Sequence, residues 1–148
     1  MDAVHALLLA AVPWIELRGA IPVGIAAGLD PILVLAAAIA LNVAMFFPIW
    51  LFLSALYPRI EKWRPMQWAA FKALKHKSAI DRWGVLGLAI FVAVPLPFTG
   101  AYTATLLAWL LRMPWRHAFV AIAVGVIVAG FLVFVASMGV LAGLQALF

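Results

Sequence analysis

Pro13-Trp14-Ile15-Glu16-Leu17-Arg18-Gly19-Ala20-Ile21-Pro22 interrupts a largely apolar run from Ala3 to Leu29. It puts a carboxylate, a guanidinium, two prolines and a glycine where a plain membrane helix has only hydrocarbon. On a continuous helix, residues two apart point about 200° away from each other, so Glu16 and Arg18 would not pair and one would face lipid. Each such residue costs roughly 2.5 to 3.5 kcal/mol at the bilayer centre. In an extended segment the side-chain period is two, and both groups point into one cavity. The spacing therefore predicts an unwound tip, sheltered by protein or by a wet pocket, since irregular backbone is tolerated at that depth only under such cover.

The rest of the chain supplies the membrane. With 69% apolar and 10% charged residues and a mean hydropathy of +1.20, 148 residues hold too little polar surface to cover a water-soluble globule. Apolar blocks run from Ala3 to Leu29, Pro31 to Pro58, Gly84 to Leu111 and Ala118 to Phe148, each longer than the roughly 20 residues that cross a hydrocarbon core. The first 15 residues carry Asp2 and no basic residue, which does not fit a cleaved signal peptide, so the N-terminus is expected to be retained. The absence of cysteine excludes disulfides and thiol chemistry. His5, His76 and His117 stand alone, so neither a metal nor a cofactor is expected.

Charge sets the orientation. The net charge of +5 does not point to nucleic acid, because Arg59, Lys62, Arg64, Lys72, Lys75, Lys77 and Arg82 all lie in one connector, cytoplasmic by the positive-inside rule. From Pro65 this connector reads as a helix, with Trp68, Phe71 and Leu74 beside Lys72, Lys75 and His76. It is expected to lie on anionic lipid, with Lys72, Lys75 and Lys77 at the membrane surface. Trp63, Trp83, Trp109 and Trp115 fall near the block ends, as an aromatic belt requires.

The chain also repeats itself. Ala11-Val12-Pro13 precedes Gly19-Ala20, and Ala93-Val94-Pro95 precedes Gly100-Ala101. Each copy continues into an apolar half-segment, a proline (Pro31, Pro114) and a long apolar helix without interruption. The prolines and glycines near each block centre leave roughly ten apolar residues on either side, about 15 Å of helix, half of a core of about 30 Å. That length predicts re-entrant hairpins shaped by Pro13, Pro22 and Pro95, with a single kinked spanning helix as the alternative for each block, since membrane helices tolerate proline. Hairpins also place Arg112 and Arg116 on the connector's face. One hairpin plus one spanning helix crosses the bilayer once, so the second copy is inverted, the arrangement of secondary transporters.

The expected fold is an all-α integral membrane protein with a single membrane domain over residues 1–148. It is an inverted repeat of two units, each a re-entrant helical hairpin plus a transmembrane helix. Repeat one covers 1–58, the basic amphipathic connector 59–83 and repeat two 84–148. Pro22 is expected to open a short helix ending near Gly28, with Asp30-Pro31 capping the spanning helix. A second helix N-terminus is expected at Thr99-Gly100 and Thr103. The two N-termini and Arg18 suit an anionic group. The expected substrate contacts are Arg18, Gly19, Asn42, Pro97, Thr99, Gly100 and Thr103. Glu16 is the expected proton-coupling group. The alternative for Glu16 and Arg18 is a structural pair that locks the hairpin, and for Asn42 an interhelical hydrogen bond. Gly139 and Gly143 form a G-x-x-x-G, a signal for close helix contact.

The runs ELRGAIPVGIAAG with Asp30-Pro31, and PLPFTGAYTATLLAWL, resemble the small multidrug export protein family of prokaryotic membrane proteins. Arg112-Met-Pro-Trp-Arg-His-Ala-Phe119, with Gly125, is similar to the second half of the DedA/VTT superfamily. That resemblance implies two inverted hairpin-plus-helix repeats in the prokaryotic inner membrane, and proton-dependent transport or flipping of lipids such as polyprenyl phosphates. The chain departs from the superfamily at the second tip, where Pro97 and Thr99 stand in place of arginine.

No G-x-x-x-x-G-K-[ST] is present, so any work must come from an ion gradient. No paired carboxylates or serine–histidine dyad lie at membrane depth, so an enzyme is not expected. The expected function is proton-coupled transport of a small molecule or lipid headgroup, with a lipid flippase and a non-transporting scaffold as alternatives. A homodimer is expected, because four apolar blocks enclose little volume.

Overall fold

The computed structural model describes residues 16–60, 62–75, 77–94 and 100–147, and among these residues there are seven helices and no strand. The first, α1 (Glu16–Ala26), corrects the expected unwound tip. Glu16, Leu17 and Arg18 are the first turn of a helix, and Pro22 lies in its interior rather than at its start. Glu16 has the sign that the positive end of a helix favours. Pro22 removes one N–H, the one that would reach the Arg18 carbonyl, a loss that packed membrane helices tolerate. Beyond Ala26 the chain closes on itself. The Leu29 N–H reaches the Gly24 carbonyl at 3.2 Å and the Gly28 N–H that of Ile25 at 3.0 Å, with Gly28 left-handed at φ 81°.

The next helix starts as expected. Asp30 Oδ1 accepts the N–H groups of Ile32 and Leu33 at 2.9 Å each, and Pro31 occupies the first turn of α2 (Pro31–Ala44). The spanning segment is not uninterrupted, however. It breaks at Met45 into α3 (Phe46–Ile60), because Pro48 has no N–H for the Ala44 carbonyl and its ring crowds that turn.

The connector helix α4 (Arg64–Leu74) carries Pro65 in its first turn. It buries Ala70 and exposes Trp68, Phe71 and Leu74. Helix α5 (Lys77–Ala93) bends at Gly84, whose φ of 55° and ψ of −126° are open to glycine. Helix α6 (Ala101–Leu110) follows, then α7 (Trp115–Leu147).

Two segments are long and apolar enough to cross a bilayer, Pro31–Leu56 and Trp115–Gly143. Leu17–Ala26 and Ala101–Leu110 are too short, rising about 15 Å each. Helix α7 is the hub, packed against α1, α2, α5 and α6. The short helices cross over: α1, ahead of the first spanning segment, packs on α7, while α6, ahead of α7, packs on α3.

In lipid such contacts are held by close packing and dispersion rather than by water exclusion, so small residues decide how near two backbones come. A Cβ at Gly125 would lie 2.6 Å from Val92 Cβ and 2.7 Å from the Ala89 carbonyl oxygen. One at Gly24 would lie 2.8 Å from Val34 Cγ1, and one at Gly130 2.9 Å from Ile39 Cγ1. Among the described residues, a Cβ at Gly139 or Gly143 would meet nothing within 4 Å, so the G-x-x-x-G makes no close contact there.

Candidate midplane site

The two short helices end in the same way. At α6 the Met113 N–H reaches the Ala108 carbonyl at 2.9 Å and the Arg112 N–H that of Trp109 at 3.0 Å, with Arg112 left-handed at φ 54°. This is the closure seen at Gly28. Aligned on these turns, Leu17 matches Ala101, Ala20 matches Ala104, Ile21 matches Thr105 and Gly24 matches Ala108, and all eight are buried. The register differs from the one that Gly19-Ala20 and Gly100-Ala101 had marked in the sequence, since Gly19 now falls opposite Thr103.

Helical rise locates the interior ends. From Gly28 back to Arg18 is about 15 Å, from Arg112 back to Ala101 about 16 Å, and from Asp30 along α2 to Asn42 about 18 Å. Each of these lengths is about half of a hydrocarbon core of about 30 Å.

Arg18 is half-buried, and its Nη2 donates to the Val94 carbonyl at 3.3 Å, across 76 positions of sequence. Val94 directly follows α5, and the carbonyls at a helix C-terminus carry partial negative charge. The guanidinium thus caps α5 and joins the start of α1 to the end of α5. Asn42 is 0% exposed, and its Nδ2 donates to the Ala38 carbonyl of its own helix at 3.0 Å. The matching position in α7 is Val126, also buried. Thr105, 0% exposed, back-bonds from Oγ1 to the Ala101 carbonyl at 2.6 Å.

Of the other expected contacts, Gly100 is buried and caps α6 with its carbonyl, which accepts the Ala104 N–H at 3.0 Å. Gly19 and Thr103 are half-buried on α1 and α6. Glu16 is placed by its backbone in the first turn of α1. Pro13, Pro95, Pro97 and Thr99 lie outside the described residues. Among the described residues no group of three His, Asp or Glu could hold a metal ion.

One contact missed in the sequence fixes which ends lie together. Trp109 Nε1 donates to Ser54 Oγ at 3.3 Å, tying the last turn of α6 to the later part of α3, and the connector helix α4 packs on α6 as well. The C-terminal end of α6, with Arg112 and Arg116 just beyond, therefore lies beside the end of α3 that leads into the connector.

At the surface, Lys72 Nζ stands 4.2 Å from the Trp68 ring, Lys75 Nζ 5.1 Å from the Phe71 ring and Arg116 Cζ 5.5 Å from the Trp115 ring. Lys77 opens α5. Trp63, Trp83 and Trp115 are exposed, as a membrane belt needs, whereas Trp109 is half-buried.

Against known proteins, the family model described as "Putative small multi-drug export protein" matches residues 16–132. No curated protein and no solved structure matches the chain.

Proposed function

Because the chain belongs to the small multi-drug export protein family, we propose that it is a proton-coupled membrane transporter moving a small molecule or a lipid headgroup through a midplane site between two re-entrant hairpins. The observation that carries this reading is the Arg18 to Val94 hydrogen bond. It joins the start of α1 to the end of α5, which this reading sets at half-bilayer depth, where polar groups need cover from protein or water. Buried Asn42 and Thr105 add polar atoms at membrane depth, where each uncompensated polar group is expensive.

The Ser54–Trp109 contact supports the hairpin and the inverted repeat. Were Gly84 to Leu111 one rod through the bilayer, the end of α6 would lie on the face opposite the end of α3. With a hairpin it returns to the connector's face, and Arg112 and Arg116 join the seven basic residues there, as the positive-inside rule favours for the cytoplasmic side of a prokaryotic inner membrane. The exchange of α1 onto α7 and α6 onto α3 fits two units related by a pseudo-two-fold axis in the membrane plane.

In this reading Glu16 carries the proton, while Gly19, Asn42, Gly100 and Thr103, with Pro97 and Thr99, line the path. The chain works as a homodimer in the lipid bilayer, with no cofactor.

A second reading has one observation in its favour. Since Arg18 is already engaged by a backbone carbonyl, the charged pair can be a staple of a non-transporting scaffold. Reconstitution of the full chain in liposomes under a pH gradient separates the two. Lumenal pH is followed with a trapped dye as ethidium or glycerol phosphate is added. Transport predicts that one of these probes drives proton flux and that Glu16→Gln removes it, at least tenfold, while the protein stays folded. A scaffold predicts no probe-driven flux in the parent chain.

A further inference from the structure

The turn between α6 and α7 carries a charge that the fold does not need. Its counterpart between α1 and α2 uses Gly28 in the left-handed position, where an L side chain costs about 1 to 2 kcal/mol. Here the same conformation is held by Arg112, exposed to the surroundings. Arg116 lies four residues on, also exposed, with its guanidinium over the Trp115 ring. No acidic residue lies between Arg82 and the C-terminus. The connector helix α4, packed on α6, carries Arg64 and Lys72, with Lys75 directly after it, and has no carboxylate of its own. Backbone strain at an exposed arginine points to a use for the guanidinium.

We propose that the α6–α7 turn is a binding site for the phosphate of an anionic phospholipid, with Arg112 and Arg116 as its principal ligands and the basic face of α4 as its flank. Arginine forks match phosphate oxygens in pairs, which a lysine point charge does not. The occupant is a lipid rather than a free phosphate because the cations are interleaved with exposed rings. Trp63 is 62% exposed, Trp68 59%, Phe71 63% and Trp115 48%, an apolar collar that sits at headgroup level. The site rests on the hairpin topology proposed above but not on transport.

The test uses the full chain in a neutral detergent, titrated with phosphatidylglycerol, phosphatidylcholine or glycerol phosphate, and reads the thermal midpoint and the lipid concentration at half effect. Phosphatidylglycerol is expected to raise the midpoint saturably, and phosphatidylcholine and glycerol phosphate to leave it unchanged. Arg112→Gly suits the left-handed turn, so it folds at least as well as the parent. It is expected to weaken the phosphatidylglycerol effect about fivefold, and Arg116→Gln to do the same. An undiminished response in both variants overturns the site, as does an equal shift with phosphatidylcholine. A shift produced by glycerol phosphate that Arg112→Gly and Arg116→Gln both weaken overturns the lipid assignment. Probe-driven flux in the parent chain without a phosphatidylglycerol shift overturns the lipid site alone, and a phosphatidylglycerol shift without flux overturns the transport reading alone.

Discussion

The turn from α1 into α2 and the turn from α6 into α7 are built on one backbone plan and carry opposite chemistry. Both close with a six-to-one hydrogen bond and a left-handed residue, and both lead into a helix of membrane-spanning length. The first holds Gly28 and Asp30, the second Arg112 and Arg116. Conformation is thus set by the closure alone. In the proposed topology the charge follows from the membrane face that each turn meets, since basic residues are favoured on the cytoplasmic side and acidic ones contribute little to orientation. The interior tells the same story. Buried positions match between α1 and α6, yet Arg18 falls opposite Tyr102, and Asn42 opposite Val126. Packing follows the alignment of the two short helices, while Arg18 and Asn42 have uncharged or apolar counterparts.

The likeness breaks hardest at Gly125, where α7 meets α5 with no room for a methyl group. The matching residue of the first unit, Leu41, is exposed. Because one atom in the way is the Ala89 backbone oxygen, no rotamer change relieves the clash. Gly125→Ala is expected to cost about 1 to 3 kcal/mol and Gly125→Leu to prevent assembly. Leu41→Ala is expected to cost much less. Thermal unfolding in detergent, read beside the yield of folded protein, ranks the three. Equal losses at Gly125 and Leu41 would mean that the units are packed alike after all.

A smaller asymmetry is the helix cap. Asp30 satisfies two N–H groups of α2, whereas at the corresponding place before α7 stands Pro114, whose carbonyl accepts the Ala118 N–H at 3.1 Å and which has no side-chain acceptor. Asp30→Ala is expected to cost about 1 kcal/mol. Pro114→Ala should cost less, a difference visible as a larger fall in thermal midpoint for the first variant.

Much of this was legible in the chain. Asp30-Pro31, Pro65 and Gly100-Ala101 are local signals, and each sits at the helix boundary that it announces. The apolar blocks were legible too: Pro31 to Pro58 contains one segment long enough to span, and Ala118 to Phe148 holds all but the first three residues of the other. What escaped were relations between distant residues. Nothing near Arg18 indicates that its partner is the Val94 carbonyl, because a backbone oxygen at a helix end has no residue type. A side-chain period of two is needed only if Glu16 and Arg18 have to meet each other. Once Arg18 has a partner just beyond α5, a helix from Glu16 satisfies it as well. Pro48 was a local signal for the break at Met45, masked by the apolar run around it. Arg112 gave none, since Leu111-Arg112-Met113 lacks the glycine that normally marks a left-handed turn.

The smallest effect is the most direct comparison, because it exchanges the two left-handed residues. If the closure alone sets conformation, Gly28→Arg installs a side chain where φ is 81° and no atom of the described residues lies within 4 Å of a Cβ, so strain is its whole cost. That cost is about 1 kcal/mol, offset in part because glycine loses more freedom on folding. Arg112→Gly relieves the same strain and gives back the same entropy, so in neutral detergent without anionic lipid its gain should mirror that loss, under about 1 kcal/mol. Opposite shifts of similar size in thermal midpoint would establish that the turns are equivalent in backbone terms and that arginine stands at 112 for its charge. A loss of stability in both variants would mean instead that the Arg112 side chain is itself a structural contact, and the parallel between the turns would end at their hydrogen bonds.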